Sequence, residues 1–331
     1  MPTPIRWAIL GLGRIAHKFA ADLLTLPDAR LVAVASTSQE RADAFAAQFP
    51  QPDGTLPRAL GTYEALLDMA DEVDVVYVAT RHVYHRANTL LCLRGGLAVL
   101  CEKPFGMDIG EVNQMLDTAH AHQTFLMEAL WSRFMPTVIQ AKAWADAGEI
   151  GMLRTIRADF GFQADYDPNK RLFNKTMGGG SLLDIGIYPL FISYLLNGMP
   201  DTVRASATLA PTGADEQCGM VLTYANGVMA VLNSSFMTVT ENKAVLYGSE
   251  GTITIQSRFH ESTVVTLEKP GLAPQEMTFA RTTFGYAYEA QHVMDCLADG
   301  LTESTLWSHA DSRHLMTLLD DVRKAAGIVY E

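Results

Sequence analysis

Over the first 130 or so residues, hydrophobic positions fall in short unbroken runs, separated by stretches whose apolar residues recur every three or four positions. The runs RWAILGLG (6–13), RLVAVAST (30–37), VDVVYVAT (73–80), AVLCEKP (98–104) and TFLMEALW (124–131) read as buried parallel strands. A strand covered on both faces shows continuous rather than alternating hydrophobicity. Between them IAHKFAADLLTL, QERADAFAAQF, HRANTLLCLRGG and DIGEVNQMLDTAHAH read as helices, the rhythm of a doubly wound sheet. The last of these opens on acids and closes on histidines, as the helix dipole favours.

From about Gly151 the pattern changes to alternation: LRTIRADFGFQ, TVRASATLA, CGMVLTYANGVMAVLNSSFMTV, KAVLYGSEGTITIQ and STVVTLEK predict strands of an antiparallel sheet, with one helix, SLLDIGIYPLFISYLLNG, near their start. The fold class is therefore α/β plus α+β: a doubly wound dinucleotide-binding domain over 1–125 and an open, mainly antiparallel substrate and dimerisation domain over 126–331. YANGVM predicts a tight two-residue hairpin turn, since Asn-Gly readily takes positive φ. The closing segments YEAQHVMDCLADG and ADSRHLMTLLDDVRKAAGIVY are expected to pack back on the first domain.

Composition narrows the classes. A chain of 331 residues, 48% hydrophobic and 19% charged, can bury two sizeable cores. Its apolar stretches fall short of the roughly 20 residues of a membrane span, and MPTPIRWAIL lacks a cleavable-signal pattern, so no membrane partner and a cytoplasmic location are expected. Cys92, Cys101, Cys218 and Cys296 have neither disulfide-framework nor zinc spacing. His82 with His85, and His120 with His122, lack further ligands, so no metal is expected. A formal charge of −12 argues against nucleic acid as a partner.

Candidate chemistry sits at the predicted strand ends. AILGLGRIAHKFA carries Gly11, Gly13, Arg14, Ile15 and Ala16 between the first strand and first helix, where backbone N–H groups can receive a pyrophosphate; a plain tight turn is the alternative. After the second strand, where NAD enzymes carry an acid, Ser36, Thr37 and Ser38 offer hydroxyls and Arg41 a cation. That favours NADP, with NAD as the other candidate, although the same hydroxyls suit a helix cap. In VLCEKPFG, Glu102 and Lys103 end a buried strand at the sheet's carboxyl edge, the ligand side, where a lysine can lower a substrate hydroxyl's pKa. GGGSLLDIGIYPL places Asp184 and Tyr188 four apart, on one face of a regular helix, the tyrosine as proton carrier and the acid as its orienter or as a hydroxyl ligand.

The glycine motif, the EKP tripeptide and the Asp184 helix after its glycine-rich loop together resemble the Gfo/Idh/MocA family, nearest the dimeric dihydrodiol dehydrogenase and NADP-dependent D-xylose dehydrogenase branch. The resemblance spans essentially the whole chain, through VLCEKP, FLMEALWSRFMP, GGGSLLDIGIYPL, YEAQHV and VRKAAGI. It implies Lys103 and Tyr188 as the catalytic pair, with Asp184 beside them; many inositol dehydrogenase-like relatives have histidine where this chain has Tyr188. It further implies Trp131, Arg133, Phe160 and Phe162 as substrate wall, with Phe284 or Tyr286 as further candidates, and Thr80 and His85 as a nucleotide-side loop, core packing being the alternative for Trp131 and His85. The expected activity is hydride transfer between NADP(H) and a polyhydroxylated small molecule, foremost an aldose oxidised to its lactone. Oxidation of a trans-dihydrodiol, or reduction of a keto sugar or dicarbonyl, is the alternative; a non-catalytic NADP sensor is the alternative of another class. A homodimer through the second domain's sheet is implied as well.

Overall fold

The computed structural model describes residues 4–330. By compactness the chain divides into two units, one built from residues up to Trp131 together with Arg281–Arg313, the other from Ser132–Ala280 and the chain from His314 onward.

In the first unit, β1 (Ile5–Leu10), β2 (Ala29–Ala35), β3 (Arg58–Leu60), β4 (Val75–Val78), β5 (Ala98–Glu102) and β6 (Leu126–Ala129) form a sheet in the order β3-β2-β1-β4-β5-β6, with every pairing parallel. This is the dinucleotide-binding strand order, and the direction of winding reverses between β1 and β4. Five of its strands follow the predicted runs. β3 does not, because three residues beginning at an exposed arginine carry no hydrophobic signal. α1 (Arg14–Leu23), α2 (Gln39–Ala46), α3 (His85–Arg94) and α4 (Ile109–His122) cover the sheet. α4 starts on Asp108, which accepts from Glu111 N at 2.8 Å, and ends at Gln123 in the left-handed region. The core is aromatic at its centre, where Phe19 of α1 stacks on Tyr77 of β4 at 3.7 Å between ring centroids.

β6 hydrogen-bonds to β5, so residues 126–131 group with this unit and not with the second domain that the sequence pattern opened at 126. α7 (Tyr286–Ala298) belongs here too. The reason is Asp22 of α1, which is buried and accepts from the backbone N–H groups of Phe284, Tyr286 and Ala287 at 2.9, 2.7 and 3.3 Å, capping α7 from another helix. α8 (His309–Ala326) starts in this unit, and its residues from His314 group with the other.

The second unit is a sheet of β7 (Leu153–Gly161), β8 (Thr202–Leu209), β9 (Asp215–Thr223), β10 (Met229–Ser235), β11 (Ala244–Gly248), β12 (Thr252–Ile255), β13 (Val264–Glu268) and β14 (Gln275–Thr278), ordered β14-β13-β12-β11-β7-β10-β9-β8. Its pairings are antiparallel except β7 with β10. Along β9 and β10 every second residue is buried: Met220, Leu222, Ala230 and Leu232 face inward. α5 (Pro136–Asp146), absent from the sequence reading, starts on proline and buries Thr137, Val138, Ala141 and Trp144 at helical spacing. α6 (Ile187–Asn197) is the core helix. The stretch Lys175–Asn197 is apolar and long enough to cross a membrane, contrary to the composition reading, but its most apolar window is 78% buried within the fold.

The YANGVM turn differs from expectation. Tyr224 and Val228 pair across it at 3.1 Å, so three residues connect β9 to β10, and of these only Gly227 takes positive φ. Asn226 instead accepts from Val228 N with its side chain at 3.2 Å. This is the three-residue alternative to the primed two-residue turn.

Candidate active site

In the first unit, Gly11 sits at φ 93°, and a Cβ there would approach Thr80 Cγ2 to 2.7 Å and the Ala79 carbonyl carbon to 2.9 Å, so the residue is required both by its dihedral and by the close passage of the chain after β4. Gly13 has no such neighbour within 4 Å; with Arg14 it is exposed, Ile15 is half-buried, and Ala16 is buried beneath them. No side chain caps α1, whose first N–H groups therefore face the open side of this turn. The arrangement suits a dinucleotide pyrophosphate, because any side chain at position 13 would fill that space.

At the end of β2, Thr37, Ser38 and Arg41 lie together at the first turn of α2. Arg41 Nη2 donates to Thr37 Oγ1 at 2.7 Å, and Ser38 Oγ accepts from Arg41 N at 3.4 Å, so cap and cation share one turn. Ser36 is buried and lies outside this group. Tyr63 and Arg81 were not foreseen. Burial raises the Tyr63 phenol above its ordinary range, against the opposing pull of the Arg41 and Arg81 charges.

The turn after β5 is gripped on several sides. Glu102 is buried, accepts from Tyr77 Oη on one oxygen and from Lys103 N at 3.1 Å on the other, and so holds the strand end from within; it does not face a ligand as expected. Next to it the Lys103–Pro104 bond is cis. His85 is fully buried, with Nδ1 at 2.8 Å from Pro104 O and Nε2 at 3.1 Å from Thr80 O, and burial lowers its pKa to about 4. A neutral ring has one N–H to give, so it ties one of these two carbonyls and only abuts the other, which is the positioning role the sequence reading held open for His85. Thr80 is half-buried, and its hydroxyl accepts from Asn88 Nδ2 at 3.1 Å. Glu128 accepts from Phe105 N and from Trp307 Nε1, both at 3.1 Å; burial pushes its carboxyl up to about 7, against the opposing pull of these donors and of the Lys103 charge. Lys103 keeps an intermediate exposure. Trp131 is buried against Tyr286, with ring centroids 4.6 Å apart, and Phe284 is the exposed aromatic of that segment, with Lys18 Nζ 5.3 Å from its ring centroid.

In the second unit, Leu182–Gly186 is a π-helical turn leading into α6, so the regular helix assumed for the Asp184–Tyr188 spacing starts only at Ile187. Asp184 receives Arg171 bidentately, at 2.9 and 3.2 Å. Tyr188 is buried among rings: Phe160 at 5.6 Å and His260 at 5.2 Å between centroids, with Phe160 and His260 stacked at 4.3 Å. Phe162, predicted beside Phe160, packs instead on Phe236 at 5.2 Å. Arg133 is buried. Arg171 and His260 had no motif to mark them. The glycine-rich loop is tight because of its own packing: a Cβ on Gly179 would overlap the backbone oxygens of Arg171, Leu172 and Asn174. Among the described residues no cluster of three His, Cys, Asp or Glu side chains could hold a metal ion.

A glycine turn with an open helix start on a six-stranded parallel sheet, followed in the same chain by a second sheet carrying a buried tyrosine and an ion-paired acid, defines a nucleotide-dependent oxidoreductase. The chain belongs to the Gfo/Idh/MocA family: residues 5–130 match the model of the oxidoreductase family with an NAD-binding Rossmann fold, and residues 138–254 match the GFO/IDH/MocA C-terminal domain. It is 37% identical over 335 residues to trans-1,2-dihydrobenzene-1,2-diol dehydrogenase of Xenopus tropicalis, covering 98% of this chain and 99% of the relative, and 34% identical to the Homo sapiens protein of that name, covering 98% of each. Among solved structures it is similar to aldose-aldose oxidoreductase from Caulobacter crescentus complexed with glycerol (TM-score 0.87, 26% identity, 98% of each chain) and to a 3-ketoreductase from Actinomadura kijaniata in complex with TDP-benzene and NADP (TM-score 0.83, 26% identity, 98% of each chain).

The Glu128 carboxyl yields a stability prediction. Its folded pKa of about 7 lies above its ordinary 4.5, so the folded state holds this proton more tightly than the unfolded chain does. The resulting stabilisation is complete below pH 4.5 and is lost as pH rises through 7, on the order of 3 kcal/mol in all. Glu128→Gln leaves an amide facing two donors and is less stable at pH 5, but denaturant midpoints measured from pH 4.5 to 8 should fall less steeply with pH than those of the parent. Equal slopes in both proteins would refute the assignment.

Proposed function

We propose that the protein is an NADP(H)-dependent dehydrogenase acting on a ring carbinol that bears a neighbouring hydroxyl, the unit shared by an aldose at its anomeric carbon and by a trans-dihydrodiol. Lys103 carries the reading: it is the half-exposed side chain of a turn whose backbone is clamped by Glu102, Glu128 and His85, at the carboxyl edge of the parallel sheet. The names of the diol dehydrogenases and of the aldose-aldose oxidoreductase that the chain resembles support the same substrate class, and the similar 3-ketoreductase is named in complex with NADP.

NADP, when bound, supplies the hydride acceptor. Gly11, Gly13 and the first turn of α1 hold the pyrophosphate, and Thr37, Ser38 and Arg41 hold the 2′-phosphate. In the oxidative direction the carbinol C–H bond breaks with its electron pair leaving as hydride, the hydroxyl proton passes to the Tyr188 oxygen acting as phenolate, and the ammonium of Lys103 favours that phenolate and stabilises the alkoxide as it forms. Asp184, fixed by Arg171, receives the adjacent hydroxyl. For an aldose the product is the lactone.

A second copy of the chain is the proposed partner. Val221, Met229, Val231 and Tyr247 are large apolar side chains exposed on neighbouring strands of the second sheet, on the face opposite its core, with Val231 directly across from Val221. Val231→Glu should turn a dimer into a monomer in sedimentation velocity; an unchanged coefficient would assign the interface elsewhere.

Initial rates of NADP and NAD reduction across aldoses, inositols and vicinal diols test the activity, and silence on all of them with NADPH still bound would defeat it. Lys103→Met should lower kcat by about a hundredfold to a thousandfold, in line with loss of one preorganised donor, while NADPH affinity holds; loss of both in proportion would remove the catalytic role. Arg41→Ala should cut kcat/KM for NADP by about tenfold to a hundredfold, the worth of a charge-assisted contact, and leave NAD nearly unaffected. Equal losses with both nucleotides would refute the phosphate site.

A further inference from the structure

The π-helical turn that carries Asp184 is held at its start from outside. A helix start leaves backbone N–H groups without intrahelical partners, and the preceding side chain usually receives one of them. Ser181 gives this turn no such cap. Asp215 at the start of β9 reaches in instead: its Oδ2 accepts from Leu182 N at 2.7 Å and from Ser181 Oγ at 2.8 Å. Ser181 Oγ also lies 2.9 Å from Ser234 Oγ of β10. The other oxygen, Oδ1, accepts from the Tyr330 hydroxyl at 3.2 Å, and Arg323 of α8 stands 5.4 Å from the centroid of that ring. Gly180, at φ 126°, passes between them, and a Cβ there would overlap both Asp215 Oδ1 and Tyr330 Oη. Asp215 is fully buried, and burial pushes its carboxyl up to about 6. Burial and the neighbouring Asp215 together push the Tyr330 phenol far up, so it remains a donor.

From this geometry we infer that Asp215 and Tyr330 are a positioning pair, fixing the start of the helix that presents Asp184 and Tyr188 to substrate. The inference rests on the reading of Asp184 and Tyr188 given above and extends it to two further residues. A carboxylate that receives a helix's first N–H from another strand makes the helix position depend on that strand, and a phenol on its second oxygen fixes the carboxylate's rotation. Outer hydrogen-bond partners of this kind orient the groups that do chemistry. Gly180, on this account, admits the pair, while Gly179 admits the loop's own backbone.

The test uses the full chain and has two arms. In Tyr330→Phe, which keeps the ring and loses the donor, amides of 181–188 should exchange with deuterium about tenfold faster, while those of α4 in the first unit stay at the parental rate. With the best substrate of the panel, kcat should fall about tenfold at unchanged KM for NADP. Asp215→Asn, which keeps one acceptor oxygen, should fall between Tyr330→Phe and the parent in both readouts. Unchanged exchange over 181–188, or faster exchange there with kcat intact, overturns the inference. If Tyr188→Phe retains full kcat, or no substrate is turned over, the catalytic reading has failed, and the exchange arm alone decides whether the pair holds the helix.

Discussion

Glu128 takes Phe105 N on one oxygen and the indole N–H of Trp307 on the other, from inside a parallel sheet, and the placement of the first unit's chemistry depends on that carboxyl. Backbone groups in a turn at a buried strand end have no ladder to join, and leaving one unpaired costs on the order of 1–3 kcal/mol. Here side chains from three elements take them up. Glu102 of β5 accepts the N–H of residue 103, His85 of α3 meets the carbonyl of residue 104, and Glu128 of β6 accepts the N–H of residue 105. The turn that carries Lys103 is thereby fixed through its backbone. Two buried carboxyls and a buried imidazole are an expensive way to hold three peptide units, and a catalytic group held within a fraction of an ångström would justify the expense.

The second unit solves the matching problem with aromatic packing and one exceptional strand pairing. β7 and β10 are parallel within an otherwise antiparallel sheet, and their register sets Phe160 opposite Ser234. Phe160 stacks on His260 and tilts against Tyr188, while Ser234 joins the hydroxyl pair beneath the start of the Asp184 turn. Ring contacts hold the tyrosine from the side, and the Arg171 fork holds the acid through two hydrogen bonds. A bidentate guanidinium imposes direction as well as charge on a carboxylate, which a lysine in the same place would not.

What the sequence made legible followed from periodicity and local chemistry. Continuous apolar runs found five of six parallel strands, and Gly11 and the Ser38 cap were readable because short-range backbone geometry favours those residue types where they stand. Residues whose roles depend on distant partners were not readable. Nothing near Glu102 in the chain announces Tyr77, so its side chain was assigned to a ligand when it in fact holds the strand end. His85 was ambiguous for the same reason: a histidine near a strand end serves equally as a ligand contact or as a tie to a backbone carbonyl, and only burial decides. The return of α7 to the first unit was legible as a closing helical segment, but its anchor was not: Asp22 caps that helix from more than 260 residues earlier in the chain. Arg171 and His260 lie in stretches without periodicity, where pattern reading has no purchase.

The formal charge of −12 and a candidate site for a doubly charged phosphate are compatible because the two act over different ranges. At physiological ionic strength exposed charges are screened over about 8 Å, so acids elsewhere on the surface contribute little at the first turn of α2. What an anion would meet there is local: a guanidinium seated on the Thr37 hydroxyl and the N-terminal N–H groups of α2. A long polyanion spans many screening lengths and encounters the whole negative surface, whereas one phosphate encounters only its own turn. A net charge of −12 therefore weighs on a long polyanion and not on a single phosphate at the first turn of α2.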